Sequence, residues 1–78
     1  MIKLMLKEMN QDHVTYLYQA EGKGEYGEII YIFTDKHASV AKPLQDDDCG
    51  YYANKAKRAV EECIDEKNLP MKFTRAWY

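Results

Sequence analysis

The apolar residues of this chain follow two different periods, and this change constrains the fold more than any other feature. Residues 2–9 alternate between two faces, which is typical of a β-strand with one wetter side. From about Cys49 to Lys67 the apolar residues recur instead at helical spacing. The sequence therefore predicts strands followed by one amphipathic helix. The helical stripe consists of Tyr52, Ala56, Ala59, Val60, Cys63 and Ile64.

Turn residues divide the first half of the chain into four strands. Residues 10–12 and 35–36 are turn signals, and residues 21–27 form a glycine-rich loop. Pro43 ends the fourth strand and suits an edge position, because proline donates no ladder hydrogen bond. The strands are expected at residues 2–9, 13–19, 28–33 and 38–42, with a possible short strand in residues 71–78.

The predicted fold is a single α+β domain over residues 1–78: a four-stranded antiparallel meander, then the helix, then the possible last strand (β-β-β-β-α-β). Hairpin connections favour the antiparallel arrangement, and the helix is expected to cover one sheet face. We expect that face to be the bulkier one, which carries Val14, Tyr16, Tyr18, Ile29, Tyr31 and Phe33.

Both helix ends carry recognisable signals. Any of the aspartates at positions 46–48 can act as the N-cap, and acidic groups suit the positive end of the helix dipole. Asn68 is expected to be a left-handed C-cap, and Pro70 prevents continuation.

Cysteine usage predicts a reducing compartment. The predicted helix separates Cys49 and Cys63 by about 21 Å, too far for a disulfide. The longest apolar run, Ile29–Phe33, is far too short to span a membrane, and residues 1–11 do not resemble a secretion signal. We therefore expect a cytoplasmic protein without membrane association.

The third strand is apolar on both sides, and this is the most informative functional clue. One helix can cover only one face, so the other face, with Leu17, Ile30 and Ile32, needs a cover. The C-terminal segment can fold over it, or a partner can, either a second copy or another protein. These residues are the candidate interaction surface.

Nucleic-acid binding is the alternative. Basic and aromatic side chains interleave near the C-terminus, as in single-strand binders, although the net charge of −2 gives no basic footprint. The candidate residues are Lys55, Arg58, Lys72, Arg75, Trp77 and Tyr78.

The remaining candidate motifs lack the neighbouring structure or residues that their functions require. Residues 22–27 match G-x-G-x-x-G, but a strand follows where dinucleotide binding requires a helix. Cys49, with His37 as a candidate neighbour in space, is a weak nucleophile candidate, because neighbouring aspartates raise a thiol pKa. No ligand spacing indicates a metal or cofactor. The sequence thus favours a bacterial-type cytoplasmic, non-enzymatic interaction module, for which a homodimer through the sheet face opposite the helix is one arrangement.

Overall fold

The computed structural model describes residues 1–45, 47 and 50–75, and this part of the chain forms one five-stranded sheet and one helix. The predicted α+β class and element order are confirmed, including a short strand near the C-terminus. Ala76, Trp77 and Tyr78 lie outside the described residues. The elements are β1 (Ile2–Met9), β2 (His13–Ala20), β3 (Gly27–Ile32), β4 (His37–Lys42), α1 (Tyr51–Asp65) and β5 (Lys72–Arg75).

The strands lie in the order β4-β3-β2-β1-β5, and every neighbouring pair is antiparallel. β4 is an edge strand, as Pro43 predicts. β5 does not extend the meander beyond β4. It pairs instead with β1 at the opposite edge, with Leu4 facing Phe73.

The helix makes this arrangement possible because it crosses the sheet. It contacts β4, β3, β2 and β1. Its 15 residues span about 22 Å at 1.5 Å per residue. Five strands at about 4.8 Å spacing are about 19 Å wide, so a helix of this length can carry the chain from one edge to the other.

The core lies between α1 and the predicted sheet face. Tyr16 and Tyr18 are fully buried there, and the Tyr16 hydroxyl donates a 2.7 Å hydrogen bond to the Pro70 carbonyl. Small helix residues let the backbone of α1 approach the sheet closely. The buried core comprises Ile2, Leu4, Val14, Tyr16, Tyr18, Ile29, Tyr31, Ala38, Ala53, Ala56, Ala59 and Val60.

The start of α1 differs from the prediction. The N-cap position is Gly50, in the left-handed region with φ 69° and ψ 28°, and no aspartate occupies it. Asp47 nevertheless acts as the cap from three residues upstream. Its two carboxylate oxygens accept the N–H groups of Tyr52 and Ala53, each at 2.8 Å. Two donors of the first helical turn, which lack intrahelical acceptors, are thereby satisfied.

The end of α1 also differs from the prediction. The left-handed residue is Lys67, with φ 57°, and not Asn68. The Asn68 N–H donates to the Cys63 carbonyl at 2.9 Å, and the Lys67 N–H donates to Ile64 at 3.0 Å. This pair of bonds is the Schellman motif. The helix therefore ends two residues before the predicted Lys67, and Asn68 contributes its backbone to the termination.

Four strand boundaries shift by one residue, and the first is the end of β2, at Ala20 and not at Gln19. β3 begins at Gly27, which the glycine-rich string assigns to the loop, and ends before Phe33. The Phe33 N–H instead donates to the Asp12 carbonyl at 3.0 Å. β4 begins at His37 and not at Ala38.

Candidate functional site

The sheet face opposite α1, called the open face below, carries the predicted interaction residues. Leu17, Ile30 and Ile32 all project to this side and are partly exposed. In the described part of the chain, no helix lies on this face. The strand register places these residues on one side of the sheet, and their role as an interaction surface stays a prediction.

Met5 extends this apolar group, although the sequence analysis does not single it out. It lies directly opposite Leu17 in the β1–β2 pair. Ile30 is opposite Thr15, the next open-face residue of β2. The alternation of β1 places Met5 on the face opposite Leu4, so this pattern alone predicts that Met5 shares a face with Leu17. Four aliphatic side chains therefore occupy neighbouring positions: Met5, Leu17, Ile30 and Ile32.

Charged residues flank the apolar group. A β-bulge in β1 brings Leu6 opposite Tyr16 and Glu8 opposite Thr15, which leaves Lys7 without a partner residue in β2. The Lys7 Nζ reaches across β2 to the Glu28 Oε1 at 3.1 Å. A single cross-strand row contains Lys72, Met5, Leu17, Glu28 and Lys42.

The open face carries aliphatic side chains at its centre and charged side chains around them. Its described strand residues include no Phe, Tyr or Trp. Base stacking on a sheet commonly uses Phe, Tyr, Trp or His rings, and among these the described open face offers His13, opposite Ile32. An aliphatic centre with a charged periphery is more typical of a protein–protein contact.

The structure does not bring together the described residues of the nucleic-acid alternative. Lys72 projects to the open face, where it is opposite Met5. Arg75 lies on the other side of β5: its guanidinium is 5.4 Å from the Phe73 ring centroid and donates to the Cys63 Sγ at 3.8 Å. Trp77 and Tyr78 lie outside the described residues. The nucleic-acid interpretation stays a prediction.

The remaining two candidates lie on α1. The Lys55 Nζ is 5.7 Å from the centroid of the Tyr51 ring. Arg58 is exposed on the side of the helix that faces β4. Neither residue is on the same surface as Lys72.

Cys49 lies outside the described residues, so its interpretation as a nucleophile stays a prediction. Cys63 is a free, buried thiol in the helix stripe. Burial raises the pKa of this thiol, while the nearby Arg75 acts in the opposite direction. A protonated thiol is a poor nucleophile, which fits a core residue.

The glycine-rich string forms the predicted loop, and Glu21 anchors it. Glu21, Gly22 and Gly24 have positive φ. The Glu21 carboxylate accepts the Tyr52 hydroxyl at 2.9 Å and the Met1 ammonium at 3.1 Å. These two hydrogen bonds lower the pKa of Glu21. Beside the loop lies a hollow of about 220 Å³, lined by Ala20, Lys23, Gly24, Glu25, Leu44, Asp47 and Tyr52.

Comparison of the chain with protein-family models, with curated proteins and with solved structures found no match. Among the described residues, no group of three or more His, Cys, Asp or Glu side chains is placed to hold a metal ion. The helix of the described chain is also too short and too polar to cross a membrane.

Proposed function

We propose that this protein is a non-enzymatic protein-interaction module that binds through the open face, and that a second copy of the chain is a partner that fits this face. The observation that carries the proposal is the apolar group formed by Met5, Leu17, Ile30 and Ile32 on a face without a described covering helix. Burying such side chains releases free energy in proportion to the apolar area removed from water.

The size of the open face sets the strength to expect. Six-residue strands such as β3 and β4 are about 20 Å long, and the sheet is about 19 Å wide. Each partner therefore contributes on the order of 400 Å² in projection, at the low end for a specific interface. Self-association should accordingly be weak and reversible, with a dissociation constant in the micromolar to millimolar range.

The charges around the apolar group suit a two-fold pairing. Both signs are present: the Lys7 ammonium is 3.1 Å from the Glu28 carboxylate, and Lys42 lies opposite Glu28 in the β3–β4 pair. In a two-fold interface the same patch faces itself. A lysine of one copy can then approach Glu28 of the other, and this preference orients the two sheets.

Sedimentation equilibrium over a wide concentration range tests this proposal. The wild type should show a concentration-dependent rise in mass towards that of a dimer. Ile30→Asp and Ile32→Asp should remain monomeric, because each would bury an unpaired charge. Gln11→Asp, in the exposed β1–β2 turn, adds the same charge elsewhere and should associate like the wild type.

A second pair of variants guards against loss of folding. Leu17→Thr and Ile30→Thr keep a residue that favours strands but remove apolar surface, so both should fold and associate more weakly. A wild type that stays monomeric at millimolar concentration, or threonine variants that associate as strongly as the wild type, would contradict self-association. Salt-sensitive binding of a single-stranded oligonucleotide at about 50 mM salt would favour the nucleic-acid alternative instead.

A further inference from the structure

We propose that a hollow between α1 and β4 binds the phosphate group of a small phosphorylated molecule. This hollow, called the α1–β4 hollow below, has a volume of about 350 Å³, within the size range of small-molecule sites. Its helix wall lies on the side of the sheet away from the open face, while His37, at the sheet edge, is opposite the open-face residue Ile32. Its lining consists of His37, Ala38, Asn54, Lys57, Arg58 and Glu61.

The positions of these residues follow from the two elements that meet there. Asn54, Arg58 and Glu61 are spaced by four and three residues, so they lie along one side of α1. Lys57 borders the same side. The start of the edge strand β4 supplies the opposite wall through His37 and Ala38.

The charged side chains that line the α1–β4 hollow differ in whether they have a polar partner within the protein. Glu61 is the only acidic residue among the described residues of the lining, and its Oε2 accepts the Ala38 N–H at 3.2 Å. The same oxygen is 4.0 Å from the His37 Nδ1. Lys57 and Arg58, in contrast, form no ion pair with any carboxylate of the described residues. Two cations without counter-ions thus border the hollow while its carboxylate is held against the sheet edge.

The donor set fits a phosphate better than a carboxylate. Arg58 offers a planar fork of N–H donors, Lys57 an ammonium, and Asn54 an amide. A phosphate group presents three terminal acceptor oxygens and up to two negative charges, whereas a carboxylate presents two oxygens and one charge. The larger number of acceptors can use all three side chains together. Because the groups are solvent-exposed, we expect millimolar affinity for the phosphate group alone.

Inorganic phosphate is the probe, titrated into the isotope-labelled full chain at constant ionic strength and followed by amide chemical shifts. The shifts should saturate and concentrate at Ala38, Asn54 and Arg58. Sodium acetate at the same ionic strength should bind at least about threefold more weakly, since it offers fewer acceptors. Equal affinity for acetate would overturn the assignment to phosphate.

Substitutions of opposite sign give the sharper test. Arg58→Gln and Lys57→Gln should each raise the dissociation constant about threefold to tenfold, because each removes a charged donor. Glu61→Gln keeps an acceptor for the Ala38 N–H and removes the negative charge, so it should tighten binding. The matched controls are Lys72→Gln on the open face and Glu62→Gln, an exposed neighbour that does not line the hollow.

Each control should leave the dissociation constant within about twofold, since screening makes distant surface charges count little. Shifts that never saturate would overturn the proposal. So would controls that change binding as much as the variants in the hollow, because this would indicate general attraction to net charge. Self-association through the open face is measured separately by sedimentation, so failure of phosphate binding and failure of the open-face proposal remain distinguishable.

Discussion

The aromatic ring of Tyr18 occupies the space that a side chain at position 27 would need. Tyr18 and Gly27 are opposite each other in β2 and β3. A Cβ added to Gly27 would lie 2.5 Å from Tyr18 Cζ and 2.7 Å from the Lys42 carbonyl oxygen, and would also overlap Tyr18 Cε1. The glycine is therefore required by packing, since its φ is not in the left-handed region.

Gly27→Ala should destabilise the protein by about 1–3 kcal/mol, because one added methyl group forces Tyr18 or the β4 backbone to move. Urea denaturation followed by circular dichroism measures this loss. Gly24→Ala is the control: its added Cβ meets open space, and only its φ of 84° opposes the change. Equal stability of Gly27→Ala and the wild type would contradict the packing relationship.

The contact between Tyr18 and Gly27 cannot be predicted from the sequence pattern alone. The string of glycines predicts a loop, and Gly22 and Gly24 do have the positive φ expected of one. Gly27 is the exception, because its role depends on which residue lies across from it in the next strand. Strand register is a tertiary property, and the spacing of glycines does not contain it.

For the helix, too, the buried residues could be predicted from the local pattern, whereas the capping residues could not. Its apolar stripe predicts which residues are buried, and Ala56 and Val60 are fully buried as expected. Its caps depend on how the incoming and outgoing chain turns. All three adjacent aspartates match the residue preference of an N-cap. Asp47 binds the first turn through its side chain without occupying the N-cap position.

The open face could be predicted only in part. The apolar pattern of residues 29–33 indicates a second buried side, and alternation assigns Leu17, Ile30 and Ile32 to it. The β1 bulge that brings Lys7 to Glu28 has no sequence signature of its own. The α1–β4 hollow likewise depends on contact between residues far apart along the chain: Ala38 and Asn54, the nearest pair across it, are 16 positions apart.

Asp47→Ala should destabilise the protein by about 1–2 kcal/mol, because the N–H groups of Tyr52 and Ala53 would lose their acceptor. Asp47→Asn should lose less, since the amide oxygen can still accept one bond. Thermal unfolding compares the two variants. Glu62→Ala serves as the control, because it removes an exposed helical carboxylate that caps nothing. If Asp47→Ala is no less stable than Glu62→Ala, the side-chain cap contributes nothing.

Lys67→Gly should stabilise the protein by about 0.5–1 kcal/mol, because glycine adopts a positive φ without the steric cost that lysine incurs. The gain is visible as a higher urea midpoint with an unchanged slope. Asn68→Gly tests the position that the sequence predicts for the left-handed residue. It should give no gain, since the Asn68 N–H bonds to Cys63 from a residue without positive φ. A larger gain from Asn68→Gly would reverse this assignment.

Alkaline pH should weaken the fold through Tyr16. Burial is the main cause that raises the pKa of its hydroxyl from 10.0 to about 12. Between these values the unfolded chain releases the proton while the folded chain retains it, so folding stability falls as pH rises. Below pH 10 the contribution is fully present, and it is lost as pH approaches about 12. A pKa difference of about 2 corresponds to about 3 kcal/mol, because each unit is worth about 1.4 kcal/mol.

Tyr16→Phe isolates this effect. At pH 8 the variant should be about 1 kcal/mol less stable than the wild type, because it lacks the hydrogen bond to the Pro70 carbonyl. Above pH 10 the wild type should lose stability faster than the variant, so the two urea midpoints should converge. Other groups titrate in this range, including Tyr18, whose pKa burial also raises, but both proteins share them. Parallel decline of the two midpoints would show that the Tyr16 hydroxyl ionises equally well in the folded and unfolded chains.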